Sequence, residues 1–139
     1  MIAVDTSVVV AAFATWHESH ASAVRVLEQN PSLPAHCALE AYSVLTRLPA
    51  PHRAEATLVA EFLRLSFPRP WLTLSASRQA RLLASLAAAH VCGGSSYDGL
   101  VAATVAASGA KLISCDQRAR RVYERLGLEF EILSTMPSR

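Results

Sequence analysis

Residues 2–13 read Ile-Ala-Val-Asp-Thr-Ser-Val-Val-Val-Ala-Ala-Phe, a stretch that fixes the class of fold. Ile2 to Val4 is a short apolar run that stops at a carboxylate, as a buried strand delivering Asp5 to its end would do. Thr6-Ser7 can cap the next segment, so Val8 to Phe13 read as a helix despite three β-branched residues in succession. A similar order returns late in the chain. Lys111 to Ser114 form a strand, Asp116 caps a helix over Arg118 to Leu126, and Gly127 ends it.

Between these two stretches, helices are expected near Glu18 to Gln29, Ala38 to Leu48, His52 to Leu65, from Ser75 or Ser77 to about Val91, and over Tyr97 to Ala107. Each has apolar residues at three- and four-residue spacing, or an alanine-rich run. Asn30-Pro31, Pro49-Ala50-Pro51 and Ser108-Gly109 end three of them. Leu33 to Ala35, Trp71 to Leu74 and Glu129 to Leu133 read as further short strands, the second prepared by the rigid Phe67-Pro68-Arg69-Pro70 connection. Pro137 to Arg139 are expected to fray. Strands separated by helices predict one α/β domain over residues 1–139, in which four or five mainly parallel strands are covered by helices on both faces.

Composition agrees. The 139 residues are 52% hydrophobic and 17% charged, which excludes a disordered or low-complexity chain. Alanine fills 25 positions, so helix should outweigh strand. Thirteen basic residues, twelve of them arginine, against eleven acidic ones give a net charge of +2, which permits a nucleic-acid partner without demanding one. Cys37, Cys92 and Cys115 have no metal-ligand spacing and are odd in number, so a reduced, cytoplasmic chain is expected. The start lacks a basic segment and carries Asp5 within its apolar run, unlike a signal peptide or membrane span.

Four acids stand out by position. Asp5 follows the first strand, Glu40 lies early in a helix, Asp98 falls in the first turn of the alanine-rich helix, and Asp116 follows the strand at 111–114. In an open parallel sheet these places line one crevice. Carboxylates gathered there repel unless a cation intervenes, and all-oxygen ligands suit Mg²⁺ or Mn²⁺. Singly, each acid has a plainer reading: a capping box for Asp98, an N-cap for Asp116, a turn for Asp5, solvent exposure for Glu40. Thr6, Ser7 and Ser114 could orient water or touch phosphate. Arg118 and Arg121, aligned with Arg125, could track an RNA backbone or form a solvated face; Arg47 is a further candidate phosphate contact. His17 and His20 share a helical face, with solvated or capping roles expected, and Cys115 reads as structural.

At VDTSV with Asp5, EAYSVLTRLP with Glu40, YDGLVAAT with Asp98 and LISCDQRA with Asp116, the chain resembles the PIN-domain family. The closer resemblance is to VapC-type toxins of bacterial toxin–antitoxin pairs, and AYSVLTRLP looks actinobacterial. The resemblance implies a PIN-like α/β/α domain and a Mg²⁺- or Mn²⁺-dependent endoribonuclease in which metal-activated water hydrolyses RNA. By the same resemblance Asp5, Glu40, Asp98 and Asp116 are catalytic metal ligands, with Thr6 and Ser114 in support. It further implies a homodimer, a VapB-type antitoxin whose C-terminal segment covers the cleft, and transfer or ribosomal RNA as substrate. The alternative is a catalytically inactive PIN-like module that binds RNA or protein. Dehalogenase-like phosphatases would want a second aspartate where Ser7 stands, and no phosphate-binding glycine loop is present.

Overall fold

A computed structural model describes residues 1–134. The order is β1 (Ile2–Val4), α1 (Thr6–Phe13), α2 (His20–Leu27), α3 (Ala35–Thr46), α4 (Ala56–Ser66), α5 (Ala76–Ala88), α6 (Ser95–Ser108), β2 (Lys111–Ser114), a 3-10 turn (Gln117–Ala119), α7 (Arg120–Arg125) and β3 (Phe130–Ile132). The strands form one parallel sheet in the order β1-β2-β3, with Val4 opposite Ile113 and Ile113 opposite Glu131. This is a mixed α/β fold, a small parallel sheet flanked by helices. No helix among the described residues is long and apolar enough to cross a membrane.

The expectation of four or five strands is corrected: the described residues form three. The other two expected strands are reduced to isolated parallel bridges, Ala3 to Ser32 and Pro34 to Leu72. Proline explains the shortfall. Pro31 and Pro34 bracket Ser32-Leu33 and have no N–H to donate, so the ladder cannot extend in either direction. The bonds that hold this edge are Ser32 N–H to Ile2 O, Val4 N–H to Ser32 O, Leu72 N–H to Leu33 O and Ala35 N–H to Leu72 O.

Burial explains why a β-branched run became α1. Val8 and Val9 are fully buried, and the helix packs on α2, α3 and β2. Packing overrides the weak intrinsic preference. The cap differs from the expected Thr6-Ser7: Asp5 is the N-cap and its Oδ1 accepts the Ser7 N–H at 3.0 Å. The main core gathers Val4, Leu33, Leu45, Val59, Val105, Leu112 and Tyr123. A small second cluster of Leu86, Val91 and Val122 fastens α5.

Other boundaries moved for local reasons. α4 starts at Ala56 rather than near His52, after the turn at Pro49 to His52. α6 starts at Ser95, earlier than expected, and Gly109 closes it with φ 74°, a left-handed conformation suited to glycine. Asp116 Oδ1 accepts the Arg118 N–H at 2.9 Å, but it caps the 3-10 turn, which breaks the expected helix in two. The fraying expected of Pro137 to Arg139 falls outside the described residues.

Candidate functional site

Parallel pairing puts the C-terminal ends of β1 and β2 at one edge of the sheet, and Asp5 and Asp116 come just after those ends. The start of α6 brings Asp98 to the same edge, and α3 brings Glu40. All four carboxylates line one cavity of about 630 Å³, with Thr6, Ser7, His17, Cys115, Arg118 and Tyr123 also in its wall.

Asp5 is the most enclosed. It is 5% exposed and both oxygens are engaged: Oδ1 accepts from the Ser7 backbone and hydroxyl, and Oδ2 accepts from the Tyr123 hydroxyl at 2.8 Å. Burial raises its pKa, and hydrogen bonds from Ser114, Ser7 and Tyr123 oppose the rise. Ser7 Oγ also accepts the Cys115 N–H at 2.7 Å and lies 3.3 Å from Ser114 Oγ, tying the start of α1 to the end of β2. Ser114, fully buried, accepts the Asp116 N–H at 3.0 Å.

Asp98 shows the electrostatic state of the cleft. Its pKa is pushed up to about 6, first by burial and then by the negative charges of Asp116, Asp5 and Glu40. The acids are therefore close enough to oppose one another's ionisation. Cys115 is pushed up to about 11 by burial, with the Asp5 charge in support, so its thiol stays protonated at neutral pH. Glu40 Oε2 lies 3.0 Å from His36 Nε2, an i,i+4 pair with a 42% exposed carboxylate.

Proximity to one cavity is not convergence on one point. Among the described residues, no group of three or more His, Cys, Asp or Glu side chains is placed to hold a metal ion. Oxygen chemistry would suit Mg²⁺ or Mn²⁺, but protein groups already engage several of these oxygens. Asp5 gives both oxygens to protein donors, Glu40 turns one to His36, and Asp116 turns one to the Arg118 backbone. The expectations of a Mg²⁺ or Mn²⁺ cofactor, of metal-activated water and of a metal-dependent endoribonuclease are corrected on this finding.

Of the arginines singled out in the sequence, Arg118 lines the cavity, with a side chain 97% exposed. Arg121 is exposed on α7, and Arg118 lies in the 3-10 turn that runs directly into that helix. Arg47 comes directly after α3, donates to Ser43 Oγ at 3.2 Å and lines an adjoining groove with Leu39 and Tyr97, which shares Glu40 and Val44 with the carboxylate cavity. His20 Nδ1 lies 2.9 Å from Ala11 O, and His17 Nδ1 accepts the Ser19 N–H at 3.0 Å; both are local fasteners.

Sequence reasoning missed Tyr123 and His36. His36 was visible as an i,i+4 neighbour of Glu40. Tyr123 lies 118 positions from Asp5, and its only signal was an aromatic on the buried side of a polar helix.

Comparison with known proteins agrees with this architecture. The PIN domain family matches residues 2–125. Ribonuclease VapC40, in two strains of Mycobacterium tuberculosis, is 49% identical over 134 residues, covering 96% of this chain and 100% of the relative. Ribonuclease VapC27 of the same species is 38% identical over 128 residues, covering 91% of this chain and 93% of that one. The chain belongs to the PIN-domain family and is homologous to its VapC-type actinobacterial members.

Proposed function

We propose that this chain is the VapC-like member of a toxin–antitoxin pair and acts as a protein-binding PIN module. Its carboxylate cleft receives a cationic segment of a VapB-type antitoxin. The observation that carries the reading is one cavity lined by four acids, with no metal-ligand group among the described residues, in which burial and the neighbouring negative charges raise the Asp98 pKa to about 6. Such a cleft gains most from a ligand that brings positive charge. An arginine side chain does so in a planar, bidentate form that matches carboxylates. An RNA backbone brings more negative charge to the same place, so protein is the better-matched partner.

Asp5, Glu40, Asp98 and Asp116 form the acidic wall, Thr6 and Ser114 support it, and Arg118 at its side competes for the cleft's negative field. Homology to VapC-type proteins supports the antitoxin context. One domain over residues 1–139, a second copy in the assembly and a cytoplasmic location belong to the same reading.

A fluorescein-labelled arginine-bearing peptide tests it by anisotropy. Saturable binding should weaken about tenfold or more in Asp98→Asn/Asp116→Asn and with added salt, and strengthen in Arg118→Glu. Bound peptide should also lower the Asp98 pKa, tracked by NMR. Site-specific cutting of RNA by the purified chain in Mg²⁺, lost with EDTA and in Asp98→Asn, would overturn it.

A further inference from the structure

We propose that the groove between α5 and α6 is a docking site for an acidic amphipathic helix of a protein partner. The groove is shallow and open, with a volume of about 400 Å³. Leu74, Leu82, Ala103, Ala106 and Ala107 supply apolar lining, while Arg78 and Arg81 supply charge. This site is independent of the carboxylate cleft. At about 100° per residue, Asp98 and Val101 lie on one side of α6, and Ala103, Ala106 and Ala107 on the other.

Three observations carry the proposal. First, α5 is thinly covered: of its 13 residues only Leu86 is buried, and Leu82, which lines the groove, is half-buried against it. A helix with an apolar side is ordinarily held by more than one buried residue. Second, α5 carries Arg78 and Arg81 and no acid. Both guanidiniums are exposed, and neither forms an ion pair among the described residues. Their three-residue spacing sets them on one face. Third, the α6 side of the groove is alanine, so another helix can approach its backbone closely.

Charge complementarity selects the occupant. Two unneutralised guanidiniums call for anions, and the apolar lining calls for side chains to bury. An acidic amphipathic helix meets both demands, with apolar anchors in the groove and carboxylates one turn apart against Arg78 and Arg81. Single-stranded RNA would meet the arginines alone, because no aromatic side chain among the described residues lines the groove for a base to stack upon.

The test uses the full chain and a labelled synthetic helix of about four turns, with leucines on one stripe and glutamates flanking it. Controls are a scrambled peptide of the same composition and a short single-stranded RNA. Expected is saturable anisotropy for the helical peptide alone, weakened about tenfold by Arg78→Glu/Arg81→Glu with an unchanged melting temperature. An Ala106→Arg variant, which fills the groove with charge and leaves both arginines in place, should weaken it too. Equal binding of the scrambled peptide, no binding, or indifference to both variants overturns the proposal. Arginine-dependent binding of the RNA instead would assign the groove to nucleic acid. Light scattering that shows a dimer of the unmodified chain, lost in Arg78→Glu/Arg81→Glu, would assign it to a second copy.

Discussion

Asp5 and Asp98 lie in the same cleft, yet they differ in what holds them. Asp5 is fixed by donors from Ser7 and Tyr123, whereas Asp98 is defined chiefly by burial and the charges it opposes. Removing the Tyr123 hydroxyl strips a buried acceptor of its partner. Tyr123→Phe should cost about 1–3 kcal/mol in chemical denaturation, the penalty for an unsatisfied buried group. Asp98 gives the pH dependence. Its folded pKa of about 6 is raised from 3.8, so the folded state holds the extra proton between those values. That contribution to stability is complete below pH 3.8 and is lost as pH rises through about 6. Asp98→Asn should therefore melt higher than the unmodified chain at pH 7.5 and show a flatter dependence from pH 4.5 to 7, read by calorimetry. A lower melting temperature for that variant at pH 7.5 would refute the repulsion. The four acids were legible in the sequence from their places beside strand ends and helix starts. What each oxygen touches was not, because Tyr123 reaches Asp5 through tertiary packing alone.

Secondary structure was legible where pattern and punctuation agree. β1, β2, α2 and α6 arise from apolar runs, helical spacing and glycine or proline stops, with ends displaced by a few residues. The expected strands at Leu33 to Ala35 and Trp71 to Leu74 failed for a reason also written in the sequence, since Pro31, Pro34 and Pro70 remove donors that a ladder requires. α1 is the converse case. Its valines favour strand, and burial against α2 and α3 decides for helix. α5 is the least anchored of the longer helices by burial, held at Leu86. Leu86→Ala should cost about 2 kcal/mol, the lower end for leucine truncation at a site near the surface. Its signature in hydrogen exchange should be local: faster exchange in α5, with β2 and α1 unchanged. Equal acceleration throughout the core would show that α5 is not a separate unit.

The chain in its entirety joins a PIN-family fold to a cleft whose acids share a cavity without forming a metal-ligand group among the described residues. Topology explains the shared cavity: parallel pairing sets successive strand ends, and the helices after them, on one edge. Family membership was legible in the sequence because four short motifs fall at strand–helix junctions and helix starts throughout the chain. The partners of the carboxylates were not, since Ser7, Tyr123, His36 and the Arg118 backbone meet them only in the folded chain. The decisive measurement is a titration of the purified chain with Mn²⁺, reading free ion by electron paramagnetic resonance and stability by thermal melting. The expected result is no saturable site at millimolar Mn²⁺ and no rise in melting temperature beyond that from matched ionic strength. A stoichiometric Mn²⁺ site that raises the melting temperature and disappears in Asp98→Asn would contradict it and return the cleft to metal chemistry.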